Sequence, residues 1–463
     1  MALFRKKEAK KKDEITVREA LKKGDIFTRL SAVIMGLGNL IRGQIIKGIL
    51  FLAFEIYFIV FLVTDGINNV RRLITLGTVT ATKYFDETSQ IYRIKAGDNS
   101  MLCLLYGIVA VFVIIGFIIL WRGNLKSAYA VQVKKENRKK IPSFIDDVED
   151  LFDGQIHRLL LFIPVTCILA FTVLPLVFMI SMAFTNYDRN HQVPANLFDW
   201  VGLKNFGELF SSSSGLATAF WHVLGWTLVW AFFATFLNYI VGMILGIVIN
   251  REKTKCKAMW RFFFVLSIAV PQFVSLLVMR TLFDPDGAVN VLLRSWGFIS
   301  KNSSLPFWTD VTWARIMIIV VNLWVGVPYT LLQVTGILKN IPNDLYEAAR
   351  LDGAGPVRIF TSITLPYMLF VTAPYLITQF IGNINNFNVI YLLTAGAPAT
   401  LEYFNGTAGK TDLLVTWLYK LTVDFSDYSY GAVIGIMTFI LSAIFALVTY
   451  HRTSAYKNEE GFQ

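Results

Sequence analysis

The chain has 463 residues, of which 55% are hydrophobic and only 16% charged, with a mean hydropathy of +0.54. Soluble domains carry about 25% charged residues, so the composition excludes a string of soluble domains, a disordered chain, a collagen and a disulfide scaffold, and leaves a polytopic membrane protein. The net charge of +11 would suit nucleic acid in a soluble protein; here it follows from Lys and Arg gathering in cytoplasmic loops, and no nucleic-acid partner is expected.

Residues 1–29 hold ten Lys and Arg. No small-residue cleavage site follows them, so they read as a cytoplasmic tail and not a removable signal. Residues 30–43 (LSAVIMGLGNLIRG) are apolar but short and glycine-rich, which suits an interfacial or re-entrant lead-in. Eight segments are then long and apolar enough to cross a membrane. They are Ile45–Thr64, Leu102–Leu120, Leu159–Phe184, Trp221–Ile249, Phe262–Phe283, Ile316–Leu338, Met368–Leu392 and Ser429–Tyr450. With the N-terminus inside, the cytoplasmic segments hold 27 Lys and Arg and the outer loops 11. That asymmetry predicts an even number of spans with both termini cytoplasmic. The charged linker KKENRKKIPSFIDDVEDLFDG divides the chain into residues 1–157, with two spans, and 158–463, with six.

Glu55 is the one clear charge near the middle of a span, and a local partner such as Lys47 is the simpler expectation than a proton relay, because no chain of further carboxylates or histidines accompanies it. Pro164, Pro175, Pro271, Pro328 and Pro374 each remove a backbone donor and are expected to kink their helices. Polar side chains gather near these prolines. The fifth span has Ser267 and Gln272, the sixth Asn322, Trp324, Gly326 and Tyr329, and the seventh Gln379, Asn383, Asn385, Asn386 and Asn388. Interhelical hydrogen bonds account for one or two amides, not for five in ten residues. Neutral amides beside aromatic rings match a neutral polyhydroxylated ligand: amides pair with hydroxyls and rings stack on sugar C–H faces. The cysteines Cys103, Cys167 and Cys256 and the four histidines show no zinc-ligand spacing and no disulfide pairing, so no metal is expected.

The cytoplasmic loop 339–366, between the sixth and seventh spans, reads IPNDLYEAARLDGAGPVRIFTSITLP in its main part. Asp344 and Glu347 have capping-box spacing, Gly353 suits the position after a helix end, and Pro356 can open a second short helix. In the outer loop, Gly409-Lys410-Thr411 looks like the end of a phosphate loop, but Phe404 stands where the upstream glycine is required, so the chain has no ATP site of its own. Asp146-Asp147, in the charged linker, reads as a solvated face and not as a paired catalytic carboxylate.

The spacing Glu347-Ala348-Ala349, three residues, Gly353, nine residues, Ile363-x-Leu365-Pro366 resembles, without a gap, the EAA loop of bacterial ABC importer permeases. The two N-terminal spans before a six-span core, and the segments LSIAVPQFVSLLVMRTLFD, VNLWVGVPYT, NNFNVIYLLTAGAP and TAGKTDLLVTWLYK, resemble the larger permease subunit of maltose/maltodextrin-type importers. The resemblance implies an all-α membrane protein of the bacterial cell membrane that is not itself an enzyme, uses no cofactor of its own, and forms half of an oligosaccharide pathway. Its implied partners are a second homologous permease, two copies of a cytoplasmic ATPase that hold ATP and Mg, an extracytoplasmic solute-binding protein, the oligosaccharide and membrane lipid. It implies sugar contacts at Gly326, Tyr329, Asn383 and Asn386, to which the clustering above adds Gln272. It implies ATPase coupling through Glu347, Ala348, Ala349 and Gly353. Ile268, Gln272 and Gly382 depart from the family's pattern, which leaves galacto-oligosaccharide or another glycan open beside maltodextrin. An ion-coupled secondary sugar transporter is the competing class, and it would need coupling carboxylates that only Glu55 offers.

Overall fold

The computed structural model describes residues 15–193, 195–251 and 253–452. Among them, seven helices are long and apolar enough to cross a membrane, or eight if one sharply bent pair counts as a single span. The described chain divides into two compact units, one ending at Trp200 and the other beginning at Val201. The third long helix belongs with the first unit by this division.

The first unit opens with three short helices, α1 (Val17–Lys23), α2 (Ile26–Leu30) and α3 (Leu37–Leu40). Thr16 and Glu19 form a capping box on α1, and Asp25 caps α2 through the Thr28 amide. Of these, α3 lies in the expected lead-in of residues 30–43, while α1 and α2 form in the stretch expected to be a cytoplasmic tail, and polar side chains hold the segment against a later helix. The span α4 (Ile45–Thr75) follows, and then the 37-residue α5 (Ser100–Glu136). Arg42, only 6% exposed, donates to the carboxylate of Asp25 at 2.6 Å, to the Thr28 hydroxyl and to the carbonyls of Gly38 and Ala128. Asn124 on α5 accepts from the Gly36 amide and donates to the Ser31 carbonyl, and Trp121 donates to the carbonyl of Ala32. A buried guanidinium is stable only with such a complete set of acceptors.

Glu55 accepts a hydrogen bond from the Met35 amide at 2.7 Å, so its partner is the lead-in backbone. Lys47 instead pairs with Asp147 at 2.8 Å. Asp146 completes a capping box with Ser143 on α6 (Phe144–Phe152). The linker carboxylates are therefore engaged, one in a cap and one in an ion pair, where the sequence suggests a solvated face. The last helix of this unit is α7 (Ile156–Met182).

Between α4 and α5 the chain forms an antiparallel hairpin, β1 (Thr82–Asp86) with β2 (Ile91–Lys95), in which Tyr84 faces Arg93. At its base, Asp98 accepts from the amides of Thr78 and Val79 at 2.9 and 3.1 Å, with Arg72 at 3.8 Å. Those amides, and then Arg72, hold its carboxyl below the usual range. A lowered folded value means the stabilisation is present above the ordinary aspartate range and is lost as pH falls through the folded value. Hydrogen-exchange protection of residues 76–99, corrected for intrinsic rate, is expected to fall between about pH 5 and pH 2 in the wild type. Asp98→Asn should already show the low-protection state at neutral pH; equal protection in both proteins would contradict this account.

The second unit contains α8 (Lys204–Phe210), α9 (Gly215–Asn250), the bent pair α10 (Lys257–Ala269) and α11 (Gln272–Leu282), α12 (Ala288–Ser295) and α13 (Val311–Lys339). It continues with α14 (Asn343–Leu351), α15 (Pro356–Ile384), α16 (Phe387–Leu393), α17 (Leu414–Tyr419) and α18 (Tyr428–Arg452). A buried cluster joins Trp226 and Trp230 of α9, Leu276 of α11, Ile318 and Val321 of α13, and Val389 and Ile390 of α16. Glycines let α9 and α13 approach closely: a Cβ on Gly242 would lie 2.6 Å from Thr330, and one on Gly246 would lie 2.7 Å from Val334. Gly242-x-x-x-Gly246 is the small-residue spacing that brings membrane helices together.

The prolines behave less uniformly than expected. Only Pro271 breaks a span, with a 91° bend between α10 and α11. Pro164, Pro328 and Pro374 lie inside continuous helices. Pro175 and Pro366 each follow a π-helical turn, Leu169–Val173 and Phe360–Thr364 respectively. The carbonyl that a proline ring would meet, four residues back, falls within that widened turn in both cases.

Candidate functional site

Of the helices that carry the predicted sugar contacts, α11, α13 and α16 share the core cluster around Trp230, Leu276, Val321 and Val389, while α15 packs Phe380 and Ile384 with Ala231 of α9. Pro271, with φ −53° and ψ 130°, turns the chain so that Gln272 begins α11. Gln272 is exposed. On α13, Tyr329 is 51% exposed and Trp324 is similarly open, while Asn322 is buried. The side chains of Gln379, Asn385 and Asn388 are exposed as well, and Asn385 donates to the Ile381 carbonyl of its own helix. Ser267 likewise bonds within its helix, to Phe264.

Asn383, Asn386 and Gly326 sit differently. Asn383 is buried and donates to the Thr235 hydroxyl at 3.0 Å, and its carbonyl accepts from the Trp230 indole at 3.0 Å. Thr235 lies in a π-helical turn of α9, Phe233–Leu237, so this turn is tied to the end of α15. Asn386 caps α16 through the Val389 amide and donates to Asn383 at 3.4 Å. A Cβ on Gly326 would lie 2.2 Å from the Asn238 amide nitrogen, so here α13 presses against α9. Three of the five clustered amides, Asn383, Asn385 and Asn386, thus bond within the fold, and Gln379 and Asn388 are exposed.

Asn238 was not singled out by sequence. Its nitrogen donates to the Ala234 carbonyl, but its amide oxygen is buried without a hydrogen-bond partner, as is that of Gln333 on α13. A polar residue in the middle of an apolar span was the available signal. Unpaired buried acceptors cost about 1–3 kcal/mol each, which a donor arriving from a ligand or water removes.

The loop after α16 is organised by one carboxylate. Asp412 is 1% exposed and accepts from Lys420 at 2.6 Å, from the Gly409 amide at 2.7 Å and from the Thr416 hydroxyl at 2.8 Å. Burial pushes its carboxyl above the usual range against the pull of Lys420 and the Gly409 amide. Lys410 pairs with Glu402 at 2.6 Å and lies over the Tyr403 ring. Thr411 donates to the Ala397 carbonyl. Each residue of the Gly409-Lys410-Thr411 motif therefore has an internal structural partner.

The loop between α13 and α15 is mostly exposed, including Glu347 and Ala348; Ile341 is buried, and Tyr346 and Ala349 are half-buried. The N-cap of α14 is Pro342, with no side-chain cap, so the capping box suggested by Asp344 and Glu347 does not form; Asp344 instead lies in the first turn, where its charge suits the helix dipole. At the other end, Gly353 has φ +75°, its amide bonds to the Arg350 carbonyl, and the Ala354 amide bonds to Ala349. That is a Schellman turn, and its left-handed residue is the reason for glycine. Tyr346 bonds to Thr364, tying α14 to the start of α15. Two apolar side chains flank the turn: Leu351 before it is 90% exposed and Val357 after it is 76% exposed.

The family described as the binding-protein-dependent transport system inner membrane component matches residues 238–453. The chain is 36% identical over 434 residues to the galactooligosaccharides transport system permease protein GanP of Bacillus subtilis (strain 168), covering 93% of this chain and 98% of that one. It is 33% identical over 441 residues to the maltodextrin transport system permease protein MalC of Streptococcus pneumoniae serotype 4 (strain ATCC BAA-334 / TIGR4), covering 93% and 96%. Among solved structures, a bacterial ABC transporter involved in the import of alginate matches with a TM-score of 0.52 at 21% identity, over 65% of this chain and 96% of that one. The last match is one of fold.

Proposed function

The chain belongs to the binding-protein-dependent transport system inner membrane components, and from that premise we propose that it is the larger permease subunit of an ATP-driven importer of neutral oligosaccharides. The observation that carries the reading is near full-length similarity to two oligosaccharide permeases, one named for galactooligosaccharides and one for maltodextrin. In this reading a second permease with a coupling loop of its own completes the pathway, one of two ATPase copies docks at the α14 loop through Glu347, Ala348, Ala349 and Gly353, and a solute-binding protein delivers the sugar. ATP and Mg belong to the ATPase.

Gln272, exposed at the bend after Pro271, and Tyr329, exposed on α13, offer an amide, a ring face and a hydroxyl to the sugar. Asn383 and Asn386 shape the site through the bonds that fix α15 and α16, and Gly326 through the close approach to Asn238. The test is uptake of labelled maltodextrins and galacto-oligosaccharides into proteoliposomes holding the assembled transporter. Uptake should require ATP and be indifferent to ionophores. Tyr329→Ala should lower uptake of the transported sugar roughly tenfold, the scale of one lost stacking and hydrogen-bonding contact. Unchanged uptake of every sugar in both Tyr329→Ala and Gln272→Ala would remove the site. Uptake that collapses with ionophores and ignores ATP would replace the importer by an ion-coupled carrier.

A further inference from the structure

A polar cavity of about 400 Å³ lies in the first unit, lined by Lys47, Lys126, Lys134 and Arg158 together with Gln44 and Asp147. Lys47 stands at the start of α4, Lys126 and Lys134 near the end of α5, and Arg158 at the start of α7. The start of one span, the end of the next and the start of the third share one side of a membrane. The Lys and Arg distribution assigns that side to the cytoplasm.

The charges are not balanced. Among the described residues the only carboxylate in the lining, Asp147, is taken by Lys47 at 2.8 Å, with Gln44 also donating to it. Arg158 donates to a neutral partner, the Gln155 amide oxygen. Lys126 and Lys134, two helical turns apart on one face of α5, have no hydrogen bond or ion pair among the described residues. Lys134 gains from the dipole at the end of its helix; Lys126, further from that end, does not. Four cations around one occupied carboxylate repel one another, and an added anion relieves that repulsion.

One turn further into each span, on the faces of Lys47 and Arg158, the chain exposes Leu50, Leu161 and Phe162. A cationic pocket at the hydrocarbon edge with apolar side chains leading inward matches a phosphate that carries acyl chains. We propose that this cavity holds the phosphate of an anionic phospholipid of the cytoplasmic leaflet, a site separate from sugar transport.

The test is native mass spectrometry of the full chain with its partner subunits, released from micelles containing phosphatidylglycerol and phosphatidylcholine. The wild type and Lys135→Gln, a neighbouring lysine outside the lining, should retain phosphatidylglycerol in preference to phosphatidylcholine. The double variant K126Q/K134Q should retain it roughly tenfold less, the scale of two basic side chains at an anionic interface. A second measurement needs no variant: phosphatidylglycerol should raise the wild-type unfolding temperature, and inorganic phosphate at matched concentration should not. Equal retention of the two lipids by the wild type, or unchanged retention by the double variant, would overturn the proposal. Equal stabilisation by inorganic phosphate would overturn the lipid source.

Discussion

Asp412→Ala is expected to destabilise the second unit by about 3–5 kcal/mol, because it leaves the Lys420 ammonium, the Gly409 amide and the Thr416 hydroxyl in place without their common acceptor. The Lys420 side chain is only 16% exposed, so water cannot fully replace the carboxylate. Burial raises the carboxyl, which shows that desolvation already opposes the charge. The raised value also sets the sign with pH: the contribution of this shift is full below the ordinary aspartate value and is lost as pH rises through the folded value. Asp412→Asn keeps an acceptor and removes the buried charge, and should therefore be milder than Ala. Thermal unfolding of the purified chain in detergent, together with its yield in the membrane, reads the effect. A wild-type midpoint and yield for Asp412→Ala would show that the loop does not depend on this carboxylate.

Leu351→Asp is the second large effect. Leu351 closes α14 two residues before the left-handed Gly353 and presents nearly its whole side chain to solvent, with Val357 exposed across the turn. An apolar side chain displayed on a rigid turn at the tip of a loop is the form of an anchor for a partner's pocket. A buried anchor of this kind contributes about 2 kcal/mol or more, so a carboxylate there should weaken ATPase association at least roughly thirtyfold and reduce uptake accordingly. The chain's own unfolding temperature should hold, since the side chain packs on little of it. Full co-purification of the ATPase with Leu351→Asp, and wild-type uptake, would show that coupling does not pass through this turn.

The spans were legible because about 20 apolar residues have few other solutions, and the α14 turn was legible because its hydrogen bonds close within a dozen residues. The distant partners were not. Asn383 looks like any of its four neighbouring amides in sequence; only the register of α15 against the π-turn of α9 gives it Thr235. Lys47 lies eight residues from Glu55 and a hundred from Asp147, yet the fold pairs it with Asp147. The hairpin Thr82–Lys95 was read only as outer loop: its strands are almost wholly exposed, so no apolar face marks them out, although the aromatic and β-branched residues on either side of DETSQ were the available sign. The unequal effects of the prolines were also hidden, because a widened turn before Pro175 or Pro366 carries no single-residue signature.

Those widened turns have a consequence for alignment. Each adds a residue to its helix without lengthening the backbone ladder by a full step, and so sets back the angular phase of everything after it by about 100° relative to a continuous α-helix. A helical wheel drawn through α9 is correct up to Phe232 and rotated beyond Leu237. Residues that share a face on paper then point apart in the folded chain. One-residue gaps between relatives are best placed at such turns, where deleting a residue restores an ordinary helix instead of rotating a packed face into lipid.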